Sequence, residues 1–349
     1  MESAMDRPGL RALRLVASLI LGWVLSAAAQ AQDFYKGKQV DLYIGYSVGG
    51  GYDIYARLLA RHLGKHIPGK PTVIPKNMEG AGSLRLANWL YQAAPRDGTA
   101  IGTIGRGIAF DPLLGGQGAQ FKATEFGWIG SANDEVSVCV AWSKTGITRF
   151  EQLYSRELIV GGTGATADTD LFPKVLNGVL GTRFRIVSGY PGGNDITLAM
   201  ERGEVDGRCG WSWSSIKTNH PAWVKDGTLR LLVQLSLTKH ADLPDVPLVM
   251  DLIRNAEQKA ILRVVFARQV MGRPFLAPPG LPKERVELLR QAFMQTMQDA
   301  TFLAEAQKLN LEITPVSGET VQALVAEVYR TPPEILAKAA EAYAEKKKR

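Results

Sequence analysis

Cysteine and histidine are scarce: two of the first and four of the second in 349 residues. Two cysteines cannot build a disulfide-framework scaffold, and four histidines leave little for a metal centre. Long hydrophobic runs are missing too, with one exception near the N-terminus, which excludes a polytopic membrane protein. With 46% hydrophobic and 21% charged residues, wholesale disorder is excluded as well. What remains is globular, with length for two ordinary domains. Neither sign of charge is lacking, but 41 Lys and Arg outweigh 34 Asp and Glu, a formal +7. That surplus suits a nucleic acid, an anionic membrane surface or an anionic ligand.

The one long apolar run narrows this choice. Arg7, Arg11 and Arg14 precede the unbroken stretch from Leu15 to Ala29, and small residues follow it. This is the three-part layout of a secretory signal peptide, with cleavage expected near Ala29 or Ala31. The run is shorter than the ~20 residues that span a bilayer; an uncleaved anchor is the alternative. No cysteine follows the small residues, which argues against a lipoprotein. Export to the periplasm removes nucleic acid from the partners. Without residues 1–31 the chain keeps 38 basic and 32 acidic residues, a formal +6. Cys139 and Cys209 then face a disulfide-permissive compartment. Both lie in apolar, strand-like stretches, where two buried free thiols are expected and a bridge is the alternative.

Strand and helix patterns alternate along the rest. Val40–Ile44 reads as a strand, the Gly-rich segment Gly45–Gly51 follows, and apolar residues at helical spacing then run to Leu63. Further strands are expected at Thr72–Pro75, Ala100–Ile104, Val136–Trp142, Leu158–Gly161, Phe184–Ser188, Val205–Gly210, Leu229–Leu237 and Val270–Leu276. Helices are expected at Leu171–Leu180, Ile196–Arg202 and Asp251–Arg263, and over most of the chain from Lys283 on. The repeated order of strand, loop and helix predicts α/β units with largely parallel sheets.

Three of the loops carry possible chemistry. Gly45-Tyr46-Ser47-Val48-Gly49 spells G-x-S-x-G between a strand and a helix, the context of a nucleophile elbow. Ser47 would then be the nucleophile of a serine hydrolase, with His62, His66, His220 or His240 as its base. The other reading is an anion site. Glycines 49 to 51 let backbone amides approach a ligand at a helix N-terminus, Tyr46 and Ser47 add hydroxyls, and Asp53 is the expected N-cap. The loop from Thr163 to Asp168, with Gly164 and Thr166, repeats the design, as does the one from Tyr190 to Asp195. Three such loops over two α/β units point to a cleft at the carboxyl ends of the strands.

Weaker signals each carry two readings. His62 and His66 stand four apart on one helix, but no third ligand is nearby, so a solvated face is expected and no metal. Trp211 and Trp213 would alternate onto one face of a strand, as core or as a ligand wall. Arg106, in the turn after a strand, would pair with a ligand carboxylate or sit at the surface.

At residues 46–57 (YSVGGGYDIYAR), 77–83 (NMEGAGS) and 95–102 (PRDGTAIG) the sequence resembles the substrate-binding receptors of tripartite tricarboxylate transporters, the Bug or TctC-like proteins. Segments 161–168 (GGTGATAD), 203–207 (GEVDG) and 275–282 (FLAPPGLP) continue the resemblance in order, over nearly the whole chain after residue 32. It implies a two-lobed α/β periplasmic binding protein of type II-like fold, each lobe a mostly parallel sheet flanked by helices. Residues 32–136 and 239–349 would form one lobe and 137–238 the other, with crossovers near Glu135–Val138 and Leu237–Lys239. It also implies a non-enzymatic monomer without cofactor or metal, which hands a small carboxylate to membrane transporter subunits; an exported sensor would use the same cleft. Tyr46, Ser47, Gly50 and Asp53 would contact the ligand from the first lobe, with Gly80 and Gly82 shaping a loop beside it. Thr163, Gly164, Thr166, Asp168, Tyr190 and Asp195 would contact it from the second. The sequence departs from the family's pattern at Gly105-Arg106-Gly107 and in the aromatic stretch 211–223.

Overall fold

The computed structural model describes residues 34–343 except Thr166. The expected signal peptide, residues 1–31, lies outside the described residues. The first lobe opens with β1 (Gln39–Ile44), α1 (Gly51–Leu63), β2 (Thr72–Asn77), α2 (Leu84–Gln92), β3 (Ala100–Thr103) and β4 (Gly127–Ser131). The second follows with β5 (Ser137–Trp142), β6 (Leu158–Gly161), α3 (Asp168–Leu180), β7 (Phe184–Val187), α4 (Gly193–Arg202) and β8 (Gly207–Ser212). It continues through α5 (Trp213–Asn219), α6 (Pro221–Lys225), β9 (Leu229–Leu235) and α7 (Ala256–Phe266). The chain then returns for β10 (Pro274–Ala277), α8 (Lys283–Gln298), α9 (Ala300–Lys308), β11 (Val316–Ser317) and α10 (Gly318–Val328), and ends in α11 (Pro333–Tyr343).

Two sheets result, ordered β11-β4-β10-β3-β1-β2 and β7-β6-β8-β5-β9. Each is mixed, where mostly parallel sheets were expected. The β1–β2, β1–β3, β6–β7 and β6–β8 pairs are parallel, whereas β10 runs antiparallel to β3 and β4, and β5 to β8 and β9. The strands antiparallel to both neighbours are β4 and β5, which flank the first crossing, and β10, which follows the second. Period-two burial of Val40, Leu42 and Ile44 fixes the register of β1 and seats it on Leu58, Leu59 and Leu63 of α1. The opposite face packs Leu86 and Leu90 of α2 with Trp128, Val321 and Val325.

Residues 132–136 and 269–273 carry the crossings side by side. Glu135 N–H donates to the Gln269 carbonyl at 2.8 Å, and Gly272 N–H to the Asn133 carbonyl at 2.9 Å. The second crossing therefore lies about thirty residues beyond the expected Leu237–Lys239. Until then α7 stays on the second sheet, and α11 comes back to the same place. Ile261, Leu262, Val265, Phe266 and Ala339 pack with Leu171, Phe172 and Val175 of α3. An apolar stripe on α3 needs covering, and these two helices cover it. Residues 249–266 and 333–343 thus pack with the lobe opposite to the one the sequence suggested.

Cys139 on β5 and Cys209 on β8, both fully buried, are joined by a disulfide across 70 residues of sequence. That replaces the expected free thiols. Among the described residues no helix is long and apolar enough to cross a membrane.

Candidate functional site

The three Gly- and Thr-rich loops converge where the lobes face one another. Gly50 caps α1 without a side chain, and Gly192 does the same for α4. Between them lies a cavity of about 50 Å³, lined among others by Gly50, Gly51, Gly193 and Asn194. One water needs ~10–15 Å³ on this measure, so the space suits a small solute. Contacts between the lobes border it. Ser47 Oγ donates across the cleft to Asp195 Oδ2 at 2.7 Å, and Arg106 Nε to Asp168 Oδ2 at 2.6 Å. A Cβ on Gly164 would stand 2.6 Å from Ala81 and Gly82 backbone atoms, and one on Gly49 2.5 Å from Asn194 Nδ2. These glycines let the lobes meet.

Tyr46, Gly50, Arg106, Thr163 and Asp168 line the cavity. Tyr46 stacks on Tyr52 with ring centres 4.7 Å apart, and its hydroxyl donates to the Gly82 carbonyl. Burial raises its pKa well above the ordinary phenol value, so the hydroxyl stays protonated. Gly82 and Gly164 shape the contact between the lobes. Ser47 and Asp195 bond each other at the rim.

Other expectations change. Asp53 is not the N-cap of α1. It sits within the first turn, is buried, and reaches back to Gly49 N–H at 2.8 Å while also holding Arg57 and Asn77. It shapes the glycine loop and does not line the cavity. Two amides of the 163–168 loop are already occupied: Thr163 N–H donates to Thr169 Oγ1 and Gly164 N–H to Asp170 Oδ2, both at 3.0 Å. Tyr190 packs into the second lobe's hydrophobic cluster, and Thr166 lies outside the described residues.

Ser47 has no histidine base. His62 bonds Glu305 at 2.6 Å, His66 bonds Asp299 at 3.1 Å, His220 stacks on Trp223, and His240 sits beside Asp242. The G-x-S-x-G turn joins β1 to α1. His62, expected on a solvated face, is 8% exposed because α9 covers it. No group of three or more His, Cys, Asp or Glu among the described residues is placed to hold a metal ion.

Sequence reasoning missed the arginines. Arg208 of β8 and Arg273 of the crossing line the cavity beside Arg106. Arg273 is 1% exposed, bonds Ser212, Ser214 and Ser215, and faces Glu135 at 3.3 Å. Glu135 accepts in turn from the Ser214 hydroxyl. Arg106 is 2% exposed, and Arg268 shares its partner Asp168 at 3.3 Å. Burial works against the charge on Arg106, but the adjoining Asp168 carboxylate more than offsets it and holds the guanidinium above its ordinary pKa. Arg208 lacks such a partner among the described residues: burial, with Arg273 and Arg106 nearby, pushes it down to about 9. Trp211 walls the cavity under Arg208 at 4.7 Å, whereas Trp213 leaves the strand to start α5 and donates from its indole to Asp242. The available signal was a charge inside an apolar strand (VDGRCGW) and in a glycine-proline hinge (MGRPFL), since arginine is rarely buried without a partner.

No protein-family model matches the chain. Two curated relatives do: a UPF0065 protein of Agrobacterium vitis, 27% identical over 243 residues, and a UPF0065 protein of Cupriavidus necator, 24% identical over 335 residues. The first alignment covers 68% of this chain and 67% of the relative, the second 92% and 94%. Among solved structures, the periplasmic binding protein BugD superposes with a TM-score of 0.70 at 21% identity, over 87% of this chain and 98% of its own. MatC of Rhodopseudomonas palustris with bound malate gives 0.68 at 17% identity, over 86% and 99%. Rpa4515 of R. palustris with adipate gives 0.67 at 19%, over 87% and 97%. The chain thus has the two-lobed fold of periplasmic binding proteins, and the resemblance to Bug and TctC-like receptors seen in its motifs stands.

Proposed function

We propose that this chain, similar in sequence and fold to the Bug and TctC-like receptors, is an exported receptor that captures a small carboxylate between its lobes. The mature protein, from residue 32 on, would deliver that solute to a membrane transporter of the tripartite tricarboxylate type without chemical change. The observation that carries this reading is the cavity between the lobes onto which the glycine-opened N-termini of α1 and α4 face. Helix N-termini present unpaired N–H donors and a positive dipole end, which favour an anion. Closure is selected because only the closed state brings both helices to one ligand. The malate and adipate held by similar folds are consistent with such a ligand.

A thermal-shift and calorimetric screen of mono-, di- and tricarboxylates on residues 32–349 tests it. At a hundredfold excess over Kd a ligand adds about 2.7 kcal/mol, on the order of 5 °C in a chain of this size. Saturable stabilisation by at least one carboxylate is the expected result. No stabilisation by any of them overturns the reading.

A further inference from the structure

The cavity carries more positive charge than the protein neutralises. Arg106, Arg208 and Arg273 line it against a single carboxylate, Asp168. Behind them Arg268 adds one positive charge at Asp168, and Glu135 one negative charge at Arg273. The surplus is two positive charges with or without that outer pair. It centres on Arg208, which has no carboxylate partner among the described residues. Among the described residues its side chain makes one hydrogen bond, from Nη1 to the Gly193 carbonyl at 3.1 Å, and its Nε is buried without an acceptor. Two further donors from almost fully buried guanidiniums, Arg106 Nη1 and Arg273 Nε, also lack partners among the described residues. Guanidinium donors without acceptors are costly to bury unless an anion arrives to meet them.

The surplus has two poles. A Cβ on Gly193 would stand 2.7 Å from the Arg208 guanidinium, and one on Gly51 3.0 Å from Arg273 Nη2. Each glycine-opened helix N-terminus therefore has one arginine packed beside it, α4 on the second lobe and α1 on the first. Building on the receptor reading above, we propose that Arg208 is the ligand-anchoring cation of this cavity and makes it selective for dianionic dicarboxylates over monoanions. One carboxylate sits on Arg208 at the head of α4. The other sits towards Arg273 and Arg106 near the head of α1.

The test uses dicarboxylates and their monoamides, which keep the shape and remove one charge: succinate with succinamate, and adipate with adipamate. Calorimetry on residues 32–349 is expected to find at least one dianion bound tenfold or more tightly than its monoamide. Arg208→Gln is expected to weaken that dianion at least tenfold and to bring the pair close to parity. Arg208→Lys should recover part of the preference. The melting temperature of ligand-free Arg208→Gln should equal or exceed that of the wild type, because an uncompensated charge has been removed. The proposal is overturned if Arg208→Gln binds the dianion as the wild type does, if it fails to fold, or if the monoamides bind as tightly as the diacids. Should only other carboxylates bind the wild type, the dianion assignment fails and the receptor reading survives. If no carboxylate binds at all, both fail.

Discussion

Arg106 Nε, on the first lobe, donates at 2.6 Å to Oδ2 of Asp168, the first residue of α3 on the second lobe. A charged residue expected to hold the ligand is engaged with an acidic one expected to do the same. The pair ties the lobes together, and the acid sits favourably at a helix N-terminus.

Breaking it has a defined consequence. Arg106→Gln is expected to destabilise the protein by about 3 kcal/mol, the lower end for a disrupted buried pair, because Arg268 stays on Asp168. Urea denaturation measures the loss. Small-angle scattering of the ligand-free variant should show a larger radius of gyration as closure weakens. An unchanged midpoint and radius would mean the pair holds nothing together.

Gly164 tests closure by shape. Its φ is +147°, and an added Cβ would stand 2.6 Å from the Ala81 and Gly82 backbone of the other lobe. Gly164→Ala should therefore hold the lobes apart and reduce affinity for a bound carboxylate more than tenfold. Gly189→Ala is the control: φ is +108° there, but nothing lies within 4 Å of the added atom. It carries backbone strain without the clash and should keep its affinity. Equal losses in both variants would remove the steric explanation.

The Cys139–Cys209 bridge closes a loop of about 70 residues. Thiol titration of the denatured, unreduced protein should find no free sulfhydryl. On the loop-entropy account, reduction should lower stability by about 4 kcal/mol. Two titratable thiols before reduction would contradict the bridge.

Asp111 gives a pH dependence of known sign. It is 3% exposed, Oδ2 has no hydrogen-bond partner among the described residues, and burial pushes its pKa from 3.8 up to about 6, with Arg268 only partly offsetting this. The folded state thus binds a proton that the unfolded state releases between pH 3.8 and about 6. Stability from this group is complete below that window and is lost as the pH rises through it. Asp111→Asn should therefore raise the melting temperature at pH 7.5, and the gain should vanish near pH 4. A variant that melts lower at pH 7.5 would mean that the ionised carboxylate is stabilising.

Much of this molecule was legible in one dimension. The period-two pattern of β1, the glycine loops ahead of α1, α3 and α4, and the helical C-terminal third are local properties of spacing and conformational freedom. Strands β4 and β11 were not expected. Gly127–Ser131 carries two glycines among its five residues, and Val316–Ser317 is too short to show a period.

The sequence by itself determined that two α/β units present glycine-opened helix N-termini, because backbone reach and orphan amides depend only on neighbouring residues. Tertiary structure alone decided what those termini face. Asp53, Thr169 and Asp170 satisfy loop amides from within their own helices, Ser47 and Arg106 find their partners on the opposite lobe, and Arg208 is left without a carboxylate among the described residues. Charge neutralisation is a sum over residues far apart in the chain, so whether a buried arginine is paired or waiting for a ligand becomes visible only once the lobes have met.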